Sequence, residues 1–220
     1  MRRSAFVAGV AYLALAVLAG AGNFGAIEGL VTKGDATRTA NDILASEELF
    51  RFGIAALVVV VILDIVVAWA LLTFFEPVHE GLARLAAWLR LIYAGMLAVA
   101  ISQLVGVLPI LGDRQYLTTV GIDRPTEALM KIQTFHDIWT VALVLFGLHL
   151  MLIGYLAYTS GYVPRLVGIM LVIAGVGYLF DSFGGLLVAS YSVSVATVTF
   201  VGEVALILWL LVKGRQVTLA

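Results

Sequence analysis

The chain contains no cysteine. Disulfides, thiolate metal sites, iron–sulfur clusters and cysteine nucleophiles are therefore excluded, and the redox compartment is left open. Charge is scarce as well: 12% of the 220 residues are Asp, Glu, Lys or Arg, and the formal net charge is -1. No basic cluster of the kind that reads phosphate is present, so no nucleic-acid partner is expected. A glycine-rich phosphate loop is missing too. Gly20, Gly22, Gly25 and Gly29 lie inside an apolar run, where they suit helix packing. Of the four prolines, Pro109 alone falls within an apolar run. Matched helix breaks in two halves, the mark of an alternating-access transporter, are thus lacking. Transport by so few helices would ask for a homo-oligomer.

What remains is mostly hydrocarbon. Hydrophobic residues make up 62% of the chain, and the mean hydropathy is +1.08. That leaves too little polar surface to solvate a globule. A helical crossing needs about 20 apolar residues. Phe6–Leu30, Phe52–Phe75, Leu85–Leu111, Phe135–Tyr158, Leu166–Ala189 and Val193–Val212 all qualify. The expectation is an all-α, polytopic transmembrane helix bundle with six crossings, a single domain over residues 1–220, and a short outer amphipathic helix. Its first partner is the lipid bilayer.

Arg2 and Arg3 before an apolar run, with Leu18-Ala19-Gly20-Ala21 following, resemble a signal peptide. The run continues to Ile27, however, which favours an uncleaved helix. With six crossings both termini share a side. That side holds Arg2, Arg3, Arg84, Arg90, Arg165, Lys213 and Arg215, against Lys33, Arg38, Arg51, Arg114, Arg124 and Lys131. The larger set lies on short connections, so the termini are expected in the cytoplasm.

Asp35 is placed to cap a short helix from Ala36, with Ile43 and Leu44 as its apolar face. Ser46 followed by Glu47 and Glu48 marks the start of the second crossing, with Arg51 at the outer boundary. Glu76-Pro77 ends that crossing. The loop Gly112 to Lys131 holds Gly121 and then Asp123-Arg124-Pro125, a helix start. Ser160-Gly161-Tyr162-Val163-Pro164 is a tight inner turn, and His79-Glu80 is a solvated one.

Several of these stretches carry a family resemblance. Ala36-Thr37, Asn41 to Glu47, Leu49 to Gly53 and Asp64 form one block. Gly147-Leu148-His149, Gly154-Tyr155-Leu156, Ser160 to Arg165 and Gly175 to Phe183 form another. Together they resemble the bacterial membrane proteins of the domain of unknown function family 4386. The resemblance implies an integral fold of about six helices in a bacterial inner membrane. It brings no activity and no catalytic residues.

An ionisable side chain in hydrocarbon costs roughly 2.5–3.5 kcal/mol on insertion scales, so each asks for a partner or a cavity. Counting from the run boundaries puts Asn23, Glu28, Arg51, Gln103, His136, Asp137 and Asp181 in the outer half. Asp64 and Glu203 fall near the middle, and Arg90 and His149 toward the inner face. Gln133, His136 and Thr140 share one helix face, and Gly177, Gly184 and Gly185 around Asp181 let another backbone approach. The expected site is an outer-half pocket of Glu28, Gln103, His136 and Asp181 for a small apolar or amphipathic ligand. The competing reading is interhelical hydrogen bonding that locks the bundle, with Arg51 pairing one acid. Asp64, His149 and Glu203 are read as buried ionisable groups. The two acids are either hydrogen-bond donors to facing helices or a proton relay.

No cofactor is implied. His136, Asp181 and Glu28 form a weak zinc set for an intramembrane hydrolase, without the i, i+4 histidine pair of a helical zinc motif. His136 and His149 are rotated about 220 degrees apart on a 3.6-residue helix, which disfavours paired haem ligation. Lys131 and Lys213 lie at helix ends, which disfavours a retinal Schiff base. The alternatives to ligand binding are thus the hydrolase and a structural or partner-binding bundle.

Overall fold

The computed structural model describes residues 2–112, 123–188 and 190–214. Arg114, Gly121 and Arg215 lie outside the described residues. Every described element is a helix: α1 (Arg2–Ala19), continued by a π-helical stretch Gly20–Ile27 and a 3-10 turn Glu28–Leu30, then α2 (Ala36–Ala45), α3 (Glu47–Phe75), α4 (Glu80–Val105) and α5 (Val107–Leu111). After these come α6 (Arg124–Thr159), α7 (Arg165–Leu187), α8 (Ala196–Thr199) and α9 (Val201–Val212). The all-α membrane bundle stands. Large apolar side chains such as Trp69, Trp88, Ile92, Leu166 and Phe180 point outward, which suits lipid and would not suit water.

The number of crossings is corrected. Among the described residues five helical segments are long enough to span: Arg2–Leu30, Glu47–Phe75, Glu80–Leu111, Arg124–Thr159 and Arg165–Leu187. The sixth apolar segment forms only the shorter helix Ala196–Val212, interrupted at Phe200. At 1.5 Å per residue it reaches about 25 Å, below the roughly 30 Å of hydrocarbon. The cause is local. Tyr191-Ser192-Val193-Ser194-Val195 is β-branched or hydroxyl-bearing throughout its last four positions, a poor helix former. The Asp181 carboxylate then takes the amides of Val195 and Ala196 at 2.9 and 2.7 Å, so the helix starts there.

The turns follow the sequence signals. Asp35 Oδ1 accepts the Arg38 amide at 2.8 Å, capping α2 as expected. Ile43 on α2 is buried and Leu44 exposed. Gly161 closes α6 with φ +75, a conformation that favours glycine, and Pro164 precedes the first residue of α7.

Contacts cluster the chain into two compact units. The first comprises Met1–Ala14, Ile62–Gly95 and Thr140–Ala220, the second Leu15–Val61 and Met96–Trp139. In the first, α6 and α7 touch backbone to backbone. A Cβ on Gly147 would lie 2.8 Å from the Gly175 carbonyl oxygen, and one on Gly154 2.7 Å from that of Gly168. These four glycines recur every seven residues on each helix, a small-residue seam that lets membrane helices approach closely. In the second unit the π-helical stretch packs on α3, where a Cβ on Gly53 would sit 2.9 Å from Ala26 Cβ.

Candidate functional site

The first unit buries a polar network to which six helices contribute. Arg90 on α4 is 0% exposed, and Asp64 on α3 and His149 on α6 are each 1%. Arg90 Nε donates to Asp64 Oδ1 at 2.9 Å, and Nη2 lies 2.7 Å from the same oxygen. Asp64 Oδ2 is buried and has no partner among the described residues. The guanidinium lies over the Tyr12 ring at 4.5 Å and the Phe146 ring at 5.3 Å, close enough for cation–π attraction in a dry setting.

His149 is fixed from both sides. Its Nδ1 is 2.8 Å from the Ala86 carbonyl, and its Nε2 is 3.1 Å from Arg90 Nη1. A carbonyl only accepts and a guanidinium only donates. The ring is therefore neutral, with its proton on Nδ1 and Nε2 accepting.

Glu203 closes the network. It stands in the first turn of α9, where the helix dipole favours negative charge. Tyr12 from α1 donates to Oε2 at 2.7 Å, and Tyr178 from α7 donates to Oε1 at 2.9 Å. Neither tyrosine was singled out as a partner for an acid in the sequence. A hydroxyl inside an apolar run is nonetheless a usable signal, since a buried phenol almost always finds a partner. Arg90 and Asp64 were also assigned to different depths, yet they form an ion pair.

The expected pocket residues are placed as follows. In the second unit His136 Nε2 lies 2.8 Å from Glu28 Oε1, both partly exposed. Gln103 Oε1 accepts from Lys131 Nζ at 3.1 Å, and Asp137 accepts from Gln133. Asn23, inside the π-helical stretch, is buried with Oδ1 unpartnered among the described residues. In the first unit Asp181 accepts the Tyr191 hydroxyl at 2.5 Å besides the two α8 amides. Burial and this carboxylate push the Tyr191 phenol up to about 12, so it remains a donor at physiological pH. No group of three His, Asp or Glu side chains able to hold a metal occurs among the described residues. The zinc set thus lacks its geometry.

A groove of about 570 Å³ opens in the second unit. Ile54 and Ala55 of α3, Val105 and the α5 residues Leu108 and Pro109 wall it, and Leu44 of α2 adds an apolar edge. Its polar end is Glu47 and Arg51. Arg51 Nε and Nη2 both bond Glu47 Oε1, at 2.8 and 2.5 Å. Nη1 is left without a described partner. The expected pocket residues are not among those that line this groove.

Fold and site together define a largely membrane-spanning helix bundle with a charged core. The chain belongs to the family described as domain of unknown function (DUF4386), whose model matches residues 7–214. It is similar to a protein of Archaeoglobus fulgidus described as uncharacterized, 29% identical over 167 residues, covering 76% of this chain and 86% of that protein. That relative is archaeal. No solved structure matches.

Proposed function

We propose that the protein binds a small single-chain amphiphile with an anionic head, in the groove of the second unit, from the non-cytoplasmic face of a cell membrane with the N-terminus in the cytoplasm. The observation that carries this reading is the groove itself. Its volume of about 570 Å³ lies within the roughly 300–1,000 Å³ of ligand pockets. Its walls are aliphatic, and Arg51 offers an uncommitted guanidinium edge at one end. An anionic head at Arg51 gains a charge-assisted hydrogen bond, while the tail replaces lipid against Ile54 and Leu108.

Of the residues first expected in the pocket, Glu28, Gln103 and His136 belong to the same unit as the groove. They are proposed to tune the polarity of its surroundings. Asp181 is left out, because its carboxylate is committed to the start of α8.

The test is saturable binding of dansyl-undecanoic acid to purified protein in nanodiscs. Leu108→Trp fills the groove, and Arg51→Gln removes the charge. Each is expected to weaken binding about tenfold, equivalent to ~1.4 kcal/mol. Unchanged binding in folded Leu108→Trp protein refutes the site. A second reading, a structural bundle without a ligand, draws support from the way Glu28, His136 and Asp181 already satisfy one another or the backbone. It is favoured if the amphiphile fails to saturate.

A further inference from the structure

The buried network of the first unit has a charge imbalance that its geometry does not resolve. Asp64 and Glu203 are two acids; Arg90 is one base. His149 adds no charge, because its Nδ1 hydrogen is held by the Ala86 carbonyl and its Nε2 faces the guanidinium. The other titratable groups facing the cluster are phenols: Tyr12 of α1, Tyr93 of α4, which packs on Phe146 at 4.9 Å, and Tyr178 of α7. With both acids ionised, the core would carry one uncompensated negative charge inside the membrane, a state that burial penalises heavily.

Two features say how the imbalance is met. Asp64 Oδ2 is a buried oxygen without a partner among the described residues. Glu203 has a phenol on each oxygen, and a phenol can turn its hydroxyl from donating to accepting. Both carboxyls therefore have room for a hydrogen. Arg90 and the Tyr12 ring stacked on it link them, so a charge on one is felt by the other. Such linked acids titrate as a pair, and the proton belongs to the pair.

We propose that this network is a proton-binding site, holding one exchangeable proton between Asp64 and Glu203 within the membrane. Uptake adds the proton to a carboxylate oxygen and brings the cluster to neutrality. Release leaves the pair with one negative charge in excess, and requires water to reach Asp64 or Glu203. The cluster thus gives the chain a proton-linked step independent of the groove in the second unit.

The experiment is infrared spectroscopy of the full-length protein in lipid at neutral pH, reading the C=O stretch of protonated carboxyl groups. The expected result is a protonated-carboxyl band at a pH where exposed acids are ionised, shifted in heavy water and lost in Glu203→Gln or Asp64→Asn. Should either variant fail to fold, carbon-13 carboxyl labelling of aspartate alone or glutamate alone in the wild type moves the band and assigns it. Asp64 and Glu203 are the buried acids among the described residues. Absence of the band overturns the proposal. So does a band that survives in both folded variants, or one that neither label moves. A sodium-dependent rise in thermal stability without the band assigns a metal cation instead, and also overturns it.

Discussion

Gly154 and Gly168 face each other so closely that a Cβ on Gly168 would lie 2.6 Å from the Gly154 carbonyl oxygen. The obstacle is backbone, which cannot rotate aside as a side chain does. Replacing Gly154 by Val is therefore expected to push α6 and α7 apart and destabilise the first unit by about 1–3 kcal/mol or more, the range for overpacking. Gly95 meets nothing within 4 Å. Gly95→Ala is expected to be neutral or to stabilise by about 0.5–1 kcal/mol, through lost backbone freedom in the unfolded chain. Thermal unfolding of both variants in one detergent checks the contrast.

Asp181 supplies the next prediction. Its carboxylate accepts two amides at the start of α8 and the Tyr191 hydroxyl. Asp181→Ala removes what is in effect an N-cap delivered from another helix, a loss of about 0.5–2 kcal/mol. Local hydrogen exchange is expected to rise at Val195 and Ala196, while amphiphile binding in the other unit is unchanged. A loss of binding with unaltered exchange would return Asp181 to the ligand site.

How much of this was legible beforehand depended on whether the signal was periodic or spatial. Crossing helices are written in long apolar runs, so five were readable at once. The sixth failed because run length ignores the β-branched and hydroxyl-bearing stretch 191–195 and the acid that intercepts its amides. The π-helical stretch Gly20–Ile27 has three glycines to mark it but no pattern that sets its hydrogen bonding. The ionisable residues of the core were visible one by one. Their meeting was not, because counting from a run boundary locates a Cα, whereas an arginine head lies several bonds away at the end of a flexible stem. Tyr12 and Tyr178 were hidden by counting as apolar.

His149 tests the tautomer directly. Substitution by Leu leaves Arg90 Nη1 without its partner and the Ala86 carbonyl with only its bond inside α4, and a buried unsatisfied group costs about 1–3 kcal/mol. His149→Gln has an amide that can donate to the carbonyl and accept from the guanidinium, as the Nδ1-protonated ring does. It is expected to recover most of the loss in unfolding temperature. Equal destabilisation by Leu and Gln would show that the ring is needed for its shape against Phe146, 6.0 Å away, and not for its two hydrogen bonds.

The Arg90–Asp64 pair gives the sharpest energetic test, because removing one partner differs from removing both. Arg90→Leu leaves Asp64 buried beside hydrocarbon with no cation, and breaking a buried pair in this way costs about 3–5 kcal/mol. Arg90→Leu combined with Asp64→Leu removes the stranded charge as well, and apolar replacement of a buried pair is often close to neutral. The double variant is therefore expected to unfold at a higher temperature than either single variant. Arg90→Lys should rescue poorly, since an ammonium cannot present the planar face that stacks between Tyr12 and Phe146 while reaching Asp64 and His149 together. A double variant no better than the singles would mean that Arg90 contributes mainly through Glu203 and Tyr12, and the coupling energy of an Arg90–Glu203 cycle would then exceed that of Arg90–Asp64.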